Sequence, residues 1–286
     1  MNILLVYKKS TYQIYFRERG LTAEVAGFLP EDMRRLQESD TAHRESLAAV
    51  EAAIRERDLP FRSVYRARLT NYAPHDIVIA VGGDGTFFEA ARPVTNQILF
   101  GVNSDPARSV GHYCRATDST VGAYLDAIAT GRAHITKLSR LAASIDDGPT
   151  VHVTNDILFS HRVPAALTKY ELSIDDHCEI HRGSGLWVST PSGSTGAIAA
   201  AGGTVLPMDS TAFHYRPREL SMLRNAHYQF LGGVISDGGV LRLTSLLREG
   251  MIYCDGSHQR MPLSLRQTIA IQQSSLPLRV ILGIDA

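Results

Sequence analysis

Asp76-Ile-Val-Ile-Ala-Val-Gly-Gly-Asp-Gly-Thr-Phe-Phe-Glu-Ala-Ala-Arg92 is the stretch on which the fold turns. Ile77 to Val81 is an unbroken apolar, mostly β-branched run, the pattern of a strand covered on both faces in a parallel sheet. It breaks at Gly82-Gly83-Asp84-Gly85. Glycines at this density permit positive φ angles and close backbone approach, so main-chain N–H groups can curl around an anion. Thr86 is expected to cap a helix over Phe87 to Arg92, whose amino end adds partial positive charge at the same spot. Strand, glycine turn and helix start together predict a phosphate site. Asp84 does not fit a simple anion cradle, because its carboxylate repels phosphate unless a metal ion or a transferable proton gives it a role. A plain strand-to-helix turn with Asp84 as a turn former is the alternative. The stretch has neither the Gly-Lys-Ser/Thr of a Walker A loop nor the Gly-x-Gly-x-x-Gly dinucleotide fingerprint.

Upstream, Ile3 to Tyr7 reads as the first buried strand, and Lys8 and Lys9 leave its carboxyl end, where ligands collect in open α/β sheets. Both lysines are read as solvated residues. Pro30 to Asp58 is charged, with Leu47, Val50 and Ile54 at helical spacing, and Phe61 to Leu69 reads as a second strand. Downstream, Ile98 to Val102 is another buried strand, followed by the polar loop Asn103 to Tyr113, a candidate wall for a site. Asp105 and Arg108 in that loop are candidates for contact with a ribose or phosphate, although Asn-Ser-Asp-Pro is also a good plain turn. Asp118 to Ala129 follows with helical spacing.

Beyond about residue 134 short strand-like runs separated by turn formers replace this alternation, among them Leu138 to Ile145, Thr150 to Phe159, Tyr170 to Asp175, Leu186 to Thr190 and Val240 to Leu247. The prediction is an α/β domain over 1–134 and a β-rich domain over 135–286, with the final strand able to return to the first. Trp187 to Gly203 interrupts the β pattern with a loop of hydroxyl residues and a short alanine helix, a source of N–H and O–H donors or else a tight packing element.

In bulk the 286 residues, 44% hydrophobic and 20% charged, are those of a globular protein. Lys plus Arg and Asp plus Glu number 29 each, so no overall positive field exists to hold nucleic acid or an anionic membrane. Three cysteines without a Cys-x-x-Cys pair argue against a disulfide framework or a structural zinc site and for a reducing compartment. Neither a signal-peptide core nor a membrane span is expected, which points to the cytoplasm.

Gly82-Gly-Asp-Gly-Thr86, Gly101-Val-Asn103, Asn155-Asp156, Arg182-Gly-Ser-Gly-Leu186, Thr190-Pro-Ser-Gly-Ser-Thr195 with Ala201-Gly-Gly203, and Asp255-Gly256 occur in one order along the chain. With these blocks the sequence resembles the NAD kinase family over nearly its whole length. The loop Gly101 to His112 and Ser184-Gly185 look most like the branch typified by the mitochondrial enzyme of animals. The resemblance implies a Rossmann-like amino-terminal domain, a β-sandwich-like carboxyl-terminal domain, and an active homodimer or homotetramer. It also implies phosphorylation of NAD by ATP, with Mg²⁺, at the 2′-hydroxyl of the adenosine ribose to give NADP. Carried over by position, Asp84 is the general base or the metal-organising carboxylate, and Gly82, Gly83, Gly85 and Thr86 hold the ATP phosphates. Asn155 and Asp156 grip an NAD ribose, Ser192 and Thr195 contact the dinucleotide, and Asn103, Asp105, Arg108, Ser184 and Gly196 complete the acceptor set. Two departures bear on the acceptor. Gly196-Ala197 stands where the family has Ala-Tyr, which removes a stacking surface, and Ser184 stands where the common enzymes have an aspartate. Tyr113, Trp187 and His112 are candidate replacements. A kinase of another hydroxyl, lipid or nucleoside, and a nucleotide-binding regulator without catalysis are the competing readings.

Overall fold

The computed structural model describes residues 1–68, 71–221 and 227–284. The chain divides into two compact units, Met1–Thr136 with Arg279–Ala286, and Lys137–Leu278.

In the first unit the strands β1 (Ile3–Tyr7), β2 (Phe61–Tyr65), β3 (Ile77–Gly82) and β4 (Ile98–Asn103) form a parallel sheet. Its order is β2, β1, β3, β4, then Leu278–Val280 and Thr136–Leu138. Tyr7 stands opposite Val81, and Gly82 opposite Asn103. One face presents Ile3, Leu5, Ile77, Ile79, Val81, Phe100 and Val102 to Val50 and Ile54 of the helix Pro30–Arg55 and to Val121 and Leu125 of the helix Val121–Ala129. Leu4, Val6, Val78 and Ala80 alternate with these residues and are buried as well. Both faces of β1 and β3 are therefore dry, which is why these strands lack polar alternation, and each large aliphatic side chain so buried contributes about 1.5–3 kcal/mol. Pro30 at the first turn and the exposed Arg35–Glu31 and Arg55–Glu51 pairs suit the long helix. The second strand ends at Tyr65, short of the expected Leu69, and Leu69 and Thr70 lie outside the described residues.

The second unit holds two antiparallel six-stranded sheets. One runs His177–Gly183, Thr168–Ile174, Val240–Ser245, Thr268–Gln273, Leu141–Ile145, Val151–Val153. The other runs Gly233–Ile235, Phe213–Arg218, Gly185–Ser189, Asp156–His161, Gly250–Cys254, Gln259–Leu263. Tyr170, Leu172, Leu243 and Ile271 from the first sheet share one core with Phe159, Leu186, Val188 and Ile252 from the second, as in a β-sandwich. The strand Phe213–Arg218, with Pro217, and the edge strand Gln259–Leu263, with Pro262, were not expected from the sequence, where proline reads as a breaker.

Candidate active site

In the first unit β3 delivers the glycine loop. The helix that follows is Asp84–Ala91, starting earlier than expected, and its cap is Gly83 (φ −124°, ψ −172°) rather than Thr86. Thr86 lies inside the first turn, buried, with its hydroxyl accepting from Arg66 Nη1 at 3.2 Å. None of Gly82, Gly83 and Gly85 has positive φ, so left-handed backbone is not what the glycines supply. A Cβ on Gly82 would come 2.4 Å from Thr86 Oγ1, and one on Gly83 would come 3.2 Å from Ser109 Oγ. A Cβ on Gly85 would meet nothing within 4 Å. Gly82 thus lets the helix close onto the strand, and Gly85 leaves an open, exposed face at the helix amino end. Asp84 is fixed from across the loop, its Oδ2 accepting from the His112 N–H at 3.0 Å and its Oδ1 from the Tyr113 N–H at 2.8 Å. Tyr113 stacks on Phe87 at 5.3 Å between centroids, which holds those donors in place. Two of about four lone-pair positions on the carboxylate are used by these bonds, so others can take a proton or a cation.

The loop after β4 folds back on itself. Asn103 Nδ2 donates to Ser109 O at 2.8 Å, while its Oδ1 accepts from the Asp105 N–H at 3.2 Å. Asp105, 4% exposed, accepts from Ser39 Oγ at 2.7 Å and from Arg108 Nη1 at 3.1 Å, and Arg108 also pairs with Glu38. Asn103 and Asp105 are buried, Arg108 is exposed, and the bonds of Asp105 and Arg108 tie the loop to the helix Pro30–Arg55.

In the second unit three strand ends converge. Ser189 stands opposite Asp156 and Cys254 opposite Ile157, so Asn155 and Asp156, the loop from Thr190, and Asp255 become neighbours. Asp255 accepts from the Asn155 N–H at 2.6 Å and from the Thr154 N–H at 3.0 Å. Thr190 Oγ1 donates to Thr154 O at 2.6 Å, and its backbone N–H to Asn155 O at 3.1 Å. A Cβ on Gly193 would lie 2.2 Å from Asn155 O, so only glycine allows the hydroxyl loop to dock there. Ser192 is buried in this docked loop, whereas Thr195, Gly196 and Ala197 are exposed. Burial, reinforced by the neighbouring Asp255 carboxylate, pushes the Asp156 carboxyl up to about 7. Asn155 Nδ2 donates to Asp156 Oδ2 at 3.0 Å. Asp156 and Ser184 line a cavity of about 360 Å³ together with Trp187, Tyr253 and Arg218. The Arg218 guanidinium sits 5.9 Å from the Trp187 ring centroid.

No model of a known protein family matches the chain. A probable NADH kinase of Oryza sativa subsp. japonica is 32% identical over 278 residues, covering 88% of this chain and 85% of that protein. The chain belongs to the NAD kinase family. It is an enzyme of that family. The NADH kinase of Arabidopsis thaliana is 27% identical over 89% of this chain and 88% of its own length. A crystal structure of an NAD kinase from Archaeoglobus fulgidus in complex with ATP shares the fold, with a TM-score of 0.69 at 19% identity, covering 98% of this chain and 93% of that one.

In this member of the NAD kinase family the fold gathers candidate residues into two clusters, one in each unit. Around Asp84 stand Gly82, Gly83, Gly85, Thr86, His112 and Tyr113. Asn155, Asp156, Ser192 and the backbone of Thr190 share the other, and Ser184 and Trp187 border its cavity. Tyr113 is spent on Phe87 and Phe88, leaving Trp187 and Tyr253 as aromatic surfaces of the second cluster. Sequence reasoning passed over Arg66, Arg218 and Tyr253. Arg66 follows β2, bonds Thr86 and pairs with Glu89 at 3.0 Å, yet an arginine after a strand carries no local pattern that marks it. Among the described residues no three His, Cys, Asp or Glu side chains gather to hold a metal, and no helix is long and apolar enough to cross a membrane.

Proposed function

We propose that this protein transfers the γ-phosphoryl group of ATP to the 2′-hydroxyl of the adenosine ribose of NAD, giving NADP. The observation that carries the reading is Asp84, a carboxylate fixed by two backbone N–H groups at the first turn of a helix whose next residue, Gly85, leaves its face open. The ATP phosphates lie over that face, against the helix amino end. Asp84 takes the proton from the acceptor hydroxyl as the P–O bond to the ribose forms and the bond to ADP breaks. Positioning and charge neutralisation supply most of such catalysis, so one carboxylate is sufficient protein chemistry.

Mg²⁺ fits this arrangement. Asp84, with lone pairs left over beside the open helix end, would hold the ion, and phosphate oxygens and water would supply its other ligands. The ion would neutralise charge on the transferred phosphoryl group.

In the second unit Asn155 and Asp156 hold the acceptor ribose and the hydroxyl loop around Ser192 and Thr195 its phosphates. Trp187 offers a face to a planar ring in the cavity beside Asp156, in place of the tyrosine that position 197 lacks. NADH as acceptor is a second reading, favoured by the names of the rice and Arabidopsis relatives. A cytoplasmic location, consistent with three free cysteines, and a homodimer or homotetramer belong to the same proposal. The test is to incubate purified protein with ATP and Mg²⁺ and either NAD or NADH, and to assay the 2′-phosphorylated product. Formation from one acceptor at the higher kcat/KM decides between the two, and nucleotide binding without product from either refutes the reading.

A further inference from the structure

The order β2, β1, β3, β4 places a topological switch between β1 and β3, because the chain leaves β1 to one side and returns on the other. In open α/β sheets ligands collect at the carboxyl ends of the strands at such a point. Here the residues that follow those two ends are Lys8 and Gly83. The Lys8 N–H donates to Val81 O at 3.3 Å, so Lys8 stands level with the glycine loop.

The two lysines differ in what they do. Lys9 pairs with Glu18 at 2.6 Å and lies 5.0 Å from the Tyr65 ring centroid. Lys8 is half-buried, and among the described residues its ammonium has no ion pair and no hydrogen-bond acceptor. Its backbone is nonetheless held firmly. Lys8 O can only accept, so His43 Nε2 carries the proton of that 2.7 Å bond, and His43 Nδ1 accepts from Ser104 Oγ at 2.8 Å. Two residues on, Ser10 Oγ donates to the fully buried Asp40 at 2.6 Å. Asp105 and Arg66 are the charged groups that act on the ammonium most strongly after burial itself, and burial lowers its pKa. A desolvated ammonium without a partner is unfavourable unless an anion arrives to meet it, and a phosphate oxygen forms the short charge-assisted bond that would do so.

We propose that Lys8 binds the phosphates of the nucleotide donor at the glycine loop, as the cationic counterpart of the Gly82–Thr86 backbone. The inference rests on the reading of that loop as the donor's cradle. It is tested by calorimetric titration of ATP and of adenosine into the wild-type protein, Lys8→Met and Lys8→Arg, with melting temperatures recorded for each. Lys8→Met should weaken ATP about 10-fold to 100-fold, leave adenosine binding unchanged, and raise KM for ATP more than it lowers kcat. Lys8→Arg should recover most of the affinity, since it restores the charge. ATP affinity within twofold of wild type in Lys8→Met, or equal losses for ATP and adenosine, overturns the assignment. If Lys8→Met does not fold, Lys8→Gln takes its place with the same expectations. Wild-type protein that binds no ATP overturns the cradle itself, a result distinct from failure of Lys8 alone.

Discussion

Adding one methyl group at Gly85 and at Gly82 should have opposite effects on stability. At Gly82 the new Cβ would sit 2.4 Å from Thr86 Oγ1 and 2.8 Å from Thr86 Cβ. Thr86 cannot swing away freely, being 1% exposed and bonded to Arg66. Overpacking of this kind costs about 1–3 kcal/mol. At Gly85 nothing lies within 4 Å, φ is not positive, and the residue is helical, so alanine should stabilise by roughly 0.5–1 kcal/mol. The two variants should therefore differ by about 1.5–4 kcal/mol, or several degrees in melting temperature at roughly 2–4 °C per kcal/mol for a domain of this size. ATP affinity should order differently. If phosphate lies over the open face, the Gly85→Ala methyl group displaces it from the helix amides, and losing one charge-assisted hydrogen bond of about 1.5–3 kcal/mol lowers affinity at least about tenfold. Thermal unfolding followed by circular dichroism, with ATP titration of both variants, reads out the two quantities. A Gly85→Ala protein that is more stable and binds ATP as well as wild type would refute the cradle, and one that is destabilised would refute the local geometry.

Asp84→Asn should lower turnover about 10²-fold to 10⁴-fold while the circular dichroism spectrum stays native, because the amide oxygen still accepts from one of the two loop N–H groups but takes no proton; near-normal turnover removes Asp84 from the chemistry. Trp187→Ala should weaken the acceptor dinucleotide about fivefold to 150-fold, from a stacking contribution of about 1–3 kcal/mol, with ATP binding unchanged; equal affinity for the acceptor in both proteins places its rings elsewhere. Because the folded-state pKa of Asp156 is raised from 3.8 to about 7, its own contribution to stability is present at low pH and lost as pH rises through about 7. Its capacity to accept from a ribose hydroxyl changes in the opposite sense, so acceptor affinity should rise between pH 6 and pH 8, and Asp156→Asn should flatten that profile in equilibrium titrations.

Some of the candidate site could not be read locally. Asp105 and Arg108 are bonded to Ser39 and Glu38, 66 and 70 residues away, partners that no local reading of the loop names. Thr86 has the composition of a cap, but Gly83 takes that position because the helix begins directly at the strand end. The cavity beside Asp156 depends on strand register, which sets Ser189 opposite Asp156 and Cys254 opposite Ile157. Long-range pairing of this kind leaves no periodic trace in either strand alone.

What the sequence determined by itself was local: the dry strands Ile3–Tyr7 and Ile77–Gly82, the glycine break with its lone acid, and the change to short alternating strands further on. Those features follow from side-chain chemistry and from periods of a few residues, which any stretch displays without its partners. Tertiary structure decided which polar groups are already satisfied and which are not. Lys8 and Lys9 are adjacent and chemically identical, but only packing gives Lys9 a carboxylate and leaves the Lys8 ammonium without one among the described residues, since an ion pair is a property of two distant segments meeting.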